Sequence, residues 1–338
     1  MKSKAAGWFG LLMVLLFMPA ELAAQDAKLV EAAKNEGGKV VIYGSLENDT
    51  MDLIAAAFKK KTGLEIDFWR SSSTKVMDRV LSEARAGKPL YDVVLTNDAP
   101  MQFMQKEGMF ARYSSPSWAA YPKSVIDANL GPRYRDVIIG VVYHAGIIKK
   151  VDAPKSLEDL LKPQYRGKVV VPDPGQHTTT AQWMASLYKV MGTKERAEKF
   201  IRDLAATRPL LVESLTPAGE RVTTGETPIG ICFVKNVVFY AAKGVPLDYV
   251  RLGKFMGDGH YVALGAKARN PSAGKAFIDF FLGDEGIRLM AGIGEWVNRK
   301  GIYPPIPDAN KIQTLTMVEM DKDTLAQKMR EYGKIFAQ

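Results

Sequence analysis

The residues best suited to chemistry in this sequence are short polar groups that follow apolar runs. Gly44-Ser45 and Glu47 come after one such run, Arg70-Ser71-Ser72-Ser73 after a second, and Thr96-Asn97-Asp98 after a third. Gln176-His177-Thr178-Thr179-Thr180 stands directly before a helical pattern, and Lys235-Asn236 closes a further apolar stretch. Hydroxyls and free backbone N–H groups at helix starts favour an oxyanion, and Lys235 or Arg70 would add positive charge. Each Ser, Thr, Asn or Asp is equally suited to cap a helix. The weight therefore rests on the clusters together, at successive strand ends, where open α/β sheets place their ligands.

Motifs for covalent or hydrolytic chemistry are missing. The sequence has no G-x-S-x-G elbow and no H-E-x-x-H, and Gly274-Lys275-Ala276 lacks the upstream Gly and the following Ser or Thr of a phosphate loop. Gly292-Ile293-Gly294 lacks the third Gly of a dinucleotide turn. The three histidines, His144, His177 and His260, form no close-spaced ligand set. The single Cys232 excludes an internal disulfide. On a cleft-facing strand it would suit a soft metal or arsenite; otherwise it is a small buried apolar residue. No enzyme activity, cofactor or bound metal is expected, and a hydrolase is the weakest reading.

The elements that position these residues alternate strand and helix. Val40-Val41-Ile42-Tyr43 reads as a buried strand, followed by a helix with Leu53, Ile54, Ala57 and Phe58 on one face and Gly63 at its end. Glu65 to Trp69 is a second strand, with Thr74 as cap of a helix carrying Met77, Val80, Leu81 and Ala84; Asp92 to Leu95 is a third strand. A second run has strands at Val137–Val142, Val169–Val171, Leu210–Val212 and Ile229–Ile231, and a returning strand at Tyr261–Lys267. Apolar strands separated by helices indicate βαβ units around a sheet covered on both faces.

The amino terminus has Lys2 and Lys4 ahead of an apolar run from Trp8 to Met18, then small residues at Leu22-Ala23-Ala24. This predicts a cleaved signal peptide over residues 1–24 and a periplasmic protein. The chain beyond residue 24 is about twice the ~100–150 residues of a common domain, so two lobes are expected. The division is 25–136 for the first part of lobe 1, 137–260 for lobe 2, and 261–338 for a return to lobe 1 with closing helices. The composition, 47% hydrophobic and 25% charged, is that of a globular protein. The net charge of +9 is spread in groups such as Lys59-Lys60-Lys61, with no basic stripe and interleaved aromatics, which argues against nucleic acid as partner.

Several phrases carry a family resemblance: Gly38 to Ser45, Phe58 to Gly63, Ala86-Gly87-Lys88, Tyr91 to Val94, Asp152 to Leu161, and Tyr165-Arg166-Gly167-Lys168. In this order they resemble the ferric-iron-binding branch of family 1 of the periplasmic solute-binding proteins of ABC transporters. The resemblance covers nearly the whole chain after the signal. It implies an α/β type II periplasmic binding protein fold, with two lobes, a two-crossing hinge and closure on a ligand in the cleft, without catalysis. It places a family metal-binding His near Glu47, a metal-binding acid near Asn97, and an anion-holding turn near His177 to Thr179. The two adjacent tyrosines of the iron-binding members are absent from Gly230 to Asn236. Ferric iron wants anionic oxygen, and Phe233, Val234 and Lys235 offer none. Tyr240 stands in only if the chain after Asn236 turns it into the cleft.

The leading expectation is a monomeric receptor for a small anion, such as an organic acid, phosphate ester or phosphonate. Ser45, Ser72, Asn97 and the Thr178 turn would hold it, with charge from Lys235 or Arg70. The alternative is a metal held by Glu47, Asp98, His177 or Tyr143. The partner is an ABC permease or, with a different output, a sensor kinase.

Overall fold

The computed structural model describes residues 20–337. The expected signal peptide lies largely outside the described residues; its last few fall at the start of helix α1 (Ala20–Asn35). No helix among the described residues is long and apolar enough to cross a membrane.

Strand β1 (Lys39–Gly44) leads into α2 (Asn48–Thr62), and β2 (Glu65–Arg70) into α3 (Ser73–Arg85). β3 (Val93–Asn97) leads into α4 (Asp98–Lys106), then the short β4 (Phe110–Ala111), β5 (Ile126–Asp127) and β6 (Gly131–Pro132). The long β7 (Arg135–His144) opens the second half, followed by β8 (Val169–Pro172), α5 (Thr178–Ser186), α6 (Tyr188–Met191), α7 (Lys194–Ala206), β9 (Leu210–Val212) and α8 (Leu215–Thr224). Next come β10 (Ile229–Phe233), α9 (Asn236–Ala241), β11 (Leu247–Tyr249) and the long β12 (Lys254–Gly265). The chain ends through α10 (Pro271–Leu282), α11 (Asp284–Gly292), β13 (Trp296–Val297), β14 (Gln313–Thr316) and α12 (Lys322–Phe336).

The main sheet has the order β2-β1-β3-β12-β7-β10-β8-β9. β1 lies parallel to β2 and β3, as β8 does to β9 and β10, which is the βαβ pattern read from the sequence. β12 and β7 join the two sets. The carboxyl half of β12 pairs with β3 through His260 to Leu264, and its amino half pairs with β7 through Met256 to His260. The expected boundaries 136/137 and 260/261 thus fall within these two strands.

Alternation along each strand sends side chains to opposite faces. In the first half Val40 and Ile42 meet Phe58, Phe277, Phe281 and Met290 on one face, and Tyr43 and Val94 meet Val76, Val80 and Met101 on the other. In the second half Val169 and Val171 pack with Trp183 and Phe200, and Val170 with Ala218, Val222 and Phe255. The edge-to-face pair Phe58–Phe277 (5.8 Å) and the stack Phe277–Phe281 (5.2 Å) add about 0.5–1.5 kcal/mol each beyond burial.

Several local expectations change. Leu53 is 45% exposed, because the buried face of α2 is formed by Thr50, Met51, Ile54 and Phe58. The residue at the N-cap of α3 is Ser72, not Thr74. β12 begins at Lys254, well before Tyr261, and ends at Gly265; Gly257-Asp258-Gly259 lies inside it. A Cβ at Gly259 would stand 2.1 Å from Arg133 Cδ, so close packing rather than turning requires that glycine. The C-terminal return divides between the halves. α10 and α11 cover the first, while Tyr332 of α12 is buried in the second, with Leu325 and Met329 packed beside it.

Candidate ligand cleft

β10 ends toward the first half, because it runs antiparallel to β7 with Phe233 opposite Ile139. Lys235 follows at that end. From the other side, the turn after β1 delivers Glu47 to the N-cap position of α2, where its side chain makes no capping hydrogen bond. Its carboxylate points across the gap: Lys235 Nζ donates to Glu47 Oε1 at 2.6 Å, and Arg135 Nη1 donates to Glu47 Oε2 at 3.2 Å. Glu295, from the turn after α11, completes the group, with Lys235 Nζ and Arg135 Nη1 each 2.8 Å from its Oε1.

Two cations and two carboxylates therefore meet where the halves face each other. Glu295 and Arg135 are almost fully buried, whereas Glu47 retains 39% side-chain exposure. Burial alone would push the Glu47 carboxyl up, but Arg135 and Lys235 together hold it well below the usual carboxylate range. Burial would lower Lys235 and Arg135, and the two carboxylates outweigh it and raise both. Glu47, Arg135 and Lys235 are therefore charged at neutral pH.

Glu47, Lys235 and Glu295 edge a cleft of about 300 Å³ lined by α2 residues, Thr216, the turn and helix after β10, and Ile293, with Arg135 buried behind them. Phe233, Phe239, Tyr240 and Leu53 give it apolar walls, and Thr50, Asp49 and Asn236 supply polar groups. The size and mixture suit a small ligand. α9 does turn Tyr240 to the cleft, and burial raises its phenol, so it stays neutral. A larger hollow between α1, the end of α2 and α10 lies on the outer side of the first half, away from the strand ends.

A second, tighter cavity of about 40 Å³ lies beside the paired strands, lined by Asn97, Asp98, Gln182, Asp258, Thr316 and Glu319 among others. Asn97 Nδ2 donates to Asp258 Oδ2 at 3.0 Å. Burial, reinforced by Asp98 and Asp136, pushes the Asp258 carboxyl up to about 7 against the pull of Asn97. Next to it on β12, burial and then Arg135 lower the His260 imidazole to about 3, so His260 is neutral.

Of the residues singled out from the sequence, the structure brings Glu47 and Lys235 into direct contact. Asn97 and Asp98 line the second cavity. Ser45 stands between, its hydroxyl 2.8 Å from that of Thr96, a bond that ties β1 to β3. His177 caps α5, with Nδ1 2.8 Å from Thr180 Oγ1; His177, Thr178 and Thr179 share the edge on which β8 and β10 end but do not line the main cleft. Arg70 is exposed on the edge strand β2 and Ser72 is exposed just beyond it, so neither reaches the cleft. Tyr143 is at the far end of β7, buried and bonded to Asp248 (2.9 Å), because antiparallel pairing sends that end away from the crossing. Cys232 points into the core with its thiol pushed up to about 12 by burial, since alternation turns Phe233 to the cleft instead. The sequence reading missed Arg135 and Glu295. A charged pair, Arg135-Asp136, opening an otherwise apolar strand was the available signal.

The model of the family described as bacterial extracellular solute-binding protein matches residues 39–294. The chain belongs to that family. Over 152 residues, 44% of the binding protein and 42% of the relative, it is 26% identical to a Salmonella typhi periplasmic protein named for binding 2-aminoethylphosphonate. Its fold matches the periplasmic binding protein AfuA of Actinobacillus pleuropneumoniae with exogenous fructose-6-phosphate bound, with TM-score 0.66, 21% identity, and coverage of 88% and 96% of the two chains. It also matches the substrate binding protein of an ABC transporter from Agrobacterium tumefaciens, with TM-score 0.75, 15% identity, and coverage of 88% and 94%. The fold is the type II periplasmic binding protein fold expected from the resemblance, and the halves are its two lobes.

Proposed function

We propose that this binding protein is the periplasmic receptor of an ABC importer and captures a small anion between its lobes without transforming it. The observation that carries the reading is Lys235 at the cleft with Arg135 buried directly behind it, one counter-carboxylate of which, Glu47, is partly exposed and comes from the opposite lobe to Lys235. Organic acids, phosphate esters and phosphonates fit this chemistry. Relatives named for a phosphonate and solved with a sugar phosphate support the same class. Ferric iron fits less well. Among the described residues no group of three or more His, Cys, Asp or Glu is arranged to hold a metal ion, and Tyr143 and His177 stand apart from Glu47. Lobe boundaries within β7 and β12 would make those strands the hinge.

A thermal-shift panel on purified protein tests the reading. A ligand that binds only the folded state raises Tm, by about 2.7 kcal/mol of stabilisation at a hundred times Kd. A member of the carboxylate, phosphate ester or phosphonate classes is expected to raise Tm, and ferric citrate to give no shift beyond that of citrate alone. The reverse pattern would overturn the proposal. Permease and ATPase genes beside this one would mark import; a histidine kinase gene would mark a sensing output.

A further inference from the structure

The two carboxylates of the quartet differ in a way that pairing alone does not explain. Glu295 is 2% exposed and directly precedes the buried Trp296 of β13, so it is a fixed counterion. Glu47 occupies a helix N-cap position without capping it, keeps 39% exposure, and presents one oxygen to each cation, Oε1 to Lys235 and Oε2 to Arg135. That two-oxygen fork is the geometry a carboxylate, phosphate or phosphonate group would itself adopt toward the same pair. Glu47 also links the lobes, since it follows β1 while Lys235 follows β10.

Resting on the anion reading, we infer that Glu47 is an internal stand-in for the ligand: its carboxylate fills the anion position on Lys235 and Arg135, and a bound anion takes its place. A ligand entering the cleft meets cations that are already neutralised. To pair with them it must release Glu47 toward solvent, for which the partial exposure of that side chain leaves room. Glu295 stays and keeps the buried Arg135 compensated throughout. Glu47 then sets a threshold, rejecting weakly charged solutes that cannot outcompete a tethered carboxylate. It also helps to hold the empty lobes together.

The test compares wild type, Glu47→Gln and Asp52→Asn by calorimetric titration with inorganic phosphate at low ionic strength, and by small-angle scattering of the phosphate-free proteins. Asp52 is exposed on the same helix α2 and does not line the cleft. It therefore reports the general effect of removing one negative charge. Glu47→Gln is expected to bind phosphate about tenfold more tightly than wild type, because charge-assisted bonds no longer have to be broken first. Its empty form should show a larger radius of gyration. Asp52→Asn should change neither by a comparable amount. Unchanged or weaker binding in Glu47→Gln, equal tightening in both variants, or an unchanged radius would each overturn the inference, as would failure of all three proteins to bind phosphate. The anion reading itself is judged separately, by the ligand panel on the wild type.

Discussion

At the scale of single residues, what matters at the crossing strands is which charges are compensated. Removing one partner of a buried ion group leaves the other exposed to a low-dielectric interior, which costs about 3–5 kcal/mol. Glu295→Gln should therefore lower stability by roughly that amount in urea denaturation, since Arg135 and Lys235 both lean on its Oε1. Asp258 makes the opposite case, a carboxyl held near 7 by burial. In the unfolded chain such a group ionises near ~4. Its contribution is thus fully present below ~4 and is lost as pH rises through about 7, where the folded state must carry an uncompensated charge. Between pH 5 and 8 the wild type should lose on the order of 2 kcal/mol relative to Asp258→Asn, whose side-chain oxygen still accepts from Asn97. Parallel denaturation curves at the two pH values would refute this. Glu47 and Lys235 were legible in the sequence because each follows an apolar run. Arg135, Asp258 and Glu295 were not, because their meaning lies in partners far along the chain.

Elements were easier to read than their edges. β1, β3, β8 and β10 announce themselves as apolar runs, and their nearly continuous burial follows from a sheet covered on both faces. β12 was half hidden, since two glycines and an aspartate within it carry the composition of a turn. The two glycines leave room for close neighbours: a Cβ at Gly257 would stand 2.8 Å from that of Asp136 on β7. A similar constraint acts at the cleft edge of β1. A Cβ at Gly44 would meet the backbone oxygen of Leu95 at 2.7 Å, a group fixed in the sheet. Gly44→Ala should cost about 1–3 kcal/mol by overpacking and loosen the turn that carries Glu47, which a lower Tm would register. The C-terminal helix shows the limit of pattern reading. The spacing of Leu325, Met329 and Tyr332 foretells an apolar face, but not which lobe receives it.

For the molecule as a whole, the two lobes share strands β7 and β12, and salt bridges through the partly exposed Glu47 tie the rims of the cleft. A ligand that raises Tm should also draw the lobes to one closed arrangement, measurable as a narrower distribution of interlobe distances between spin labels on Arg70 and Thr178, both exposed. An unchanged distribution would separate binding from closure. The shared strands also govern how the chain comes to be folded. His260 to Leu264 must pair with Asn97 to Val93, and Phe277 and Phe281 must reach Val40 and Ile42, before one of the two faces of the first lobe's sheet is covered. At a synthesis rate of about 5–20 residues per second, the stretches between those partners take roughly eight to fifty seconds to appear. Over that interval the nascent first lobe offers its apolar strands to whatever chaperone is at hand. The topology that joins the two lobes through shared strands thus also delays the covering of one face of the growing first lobe.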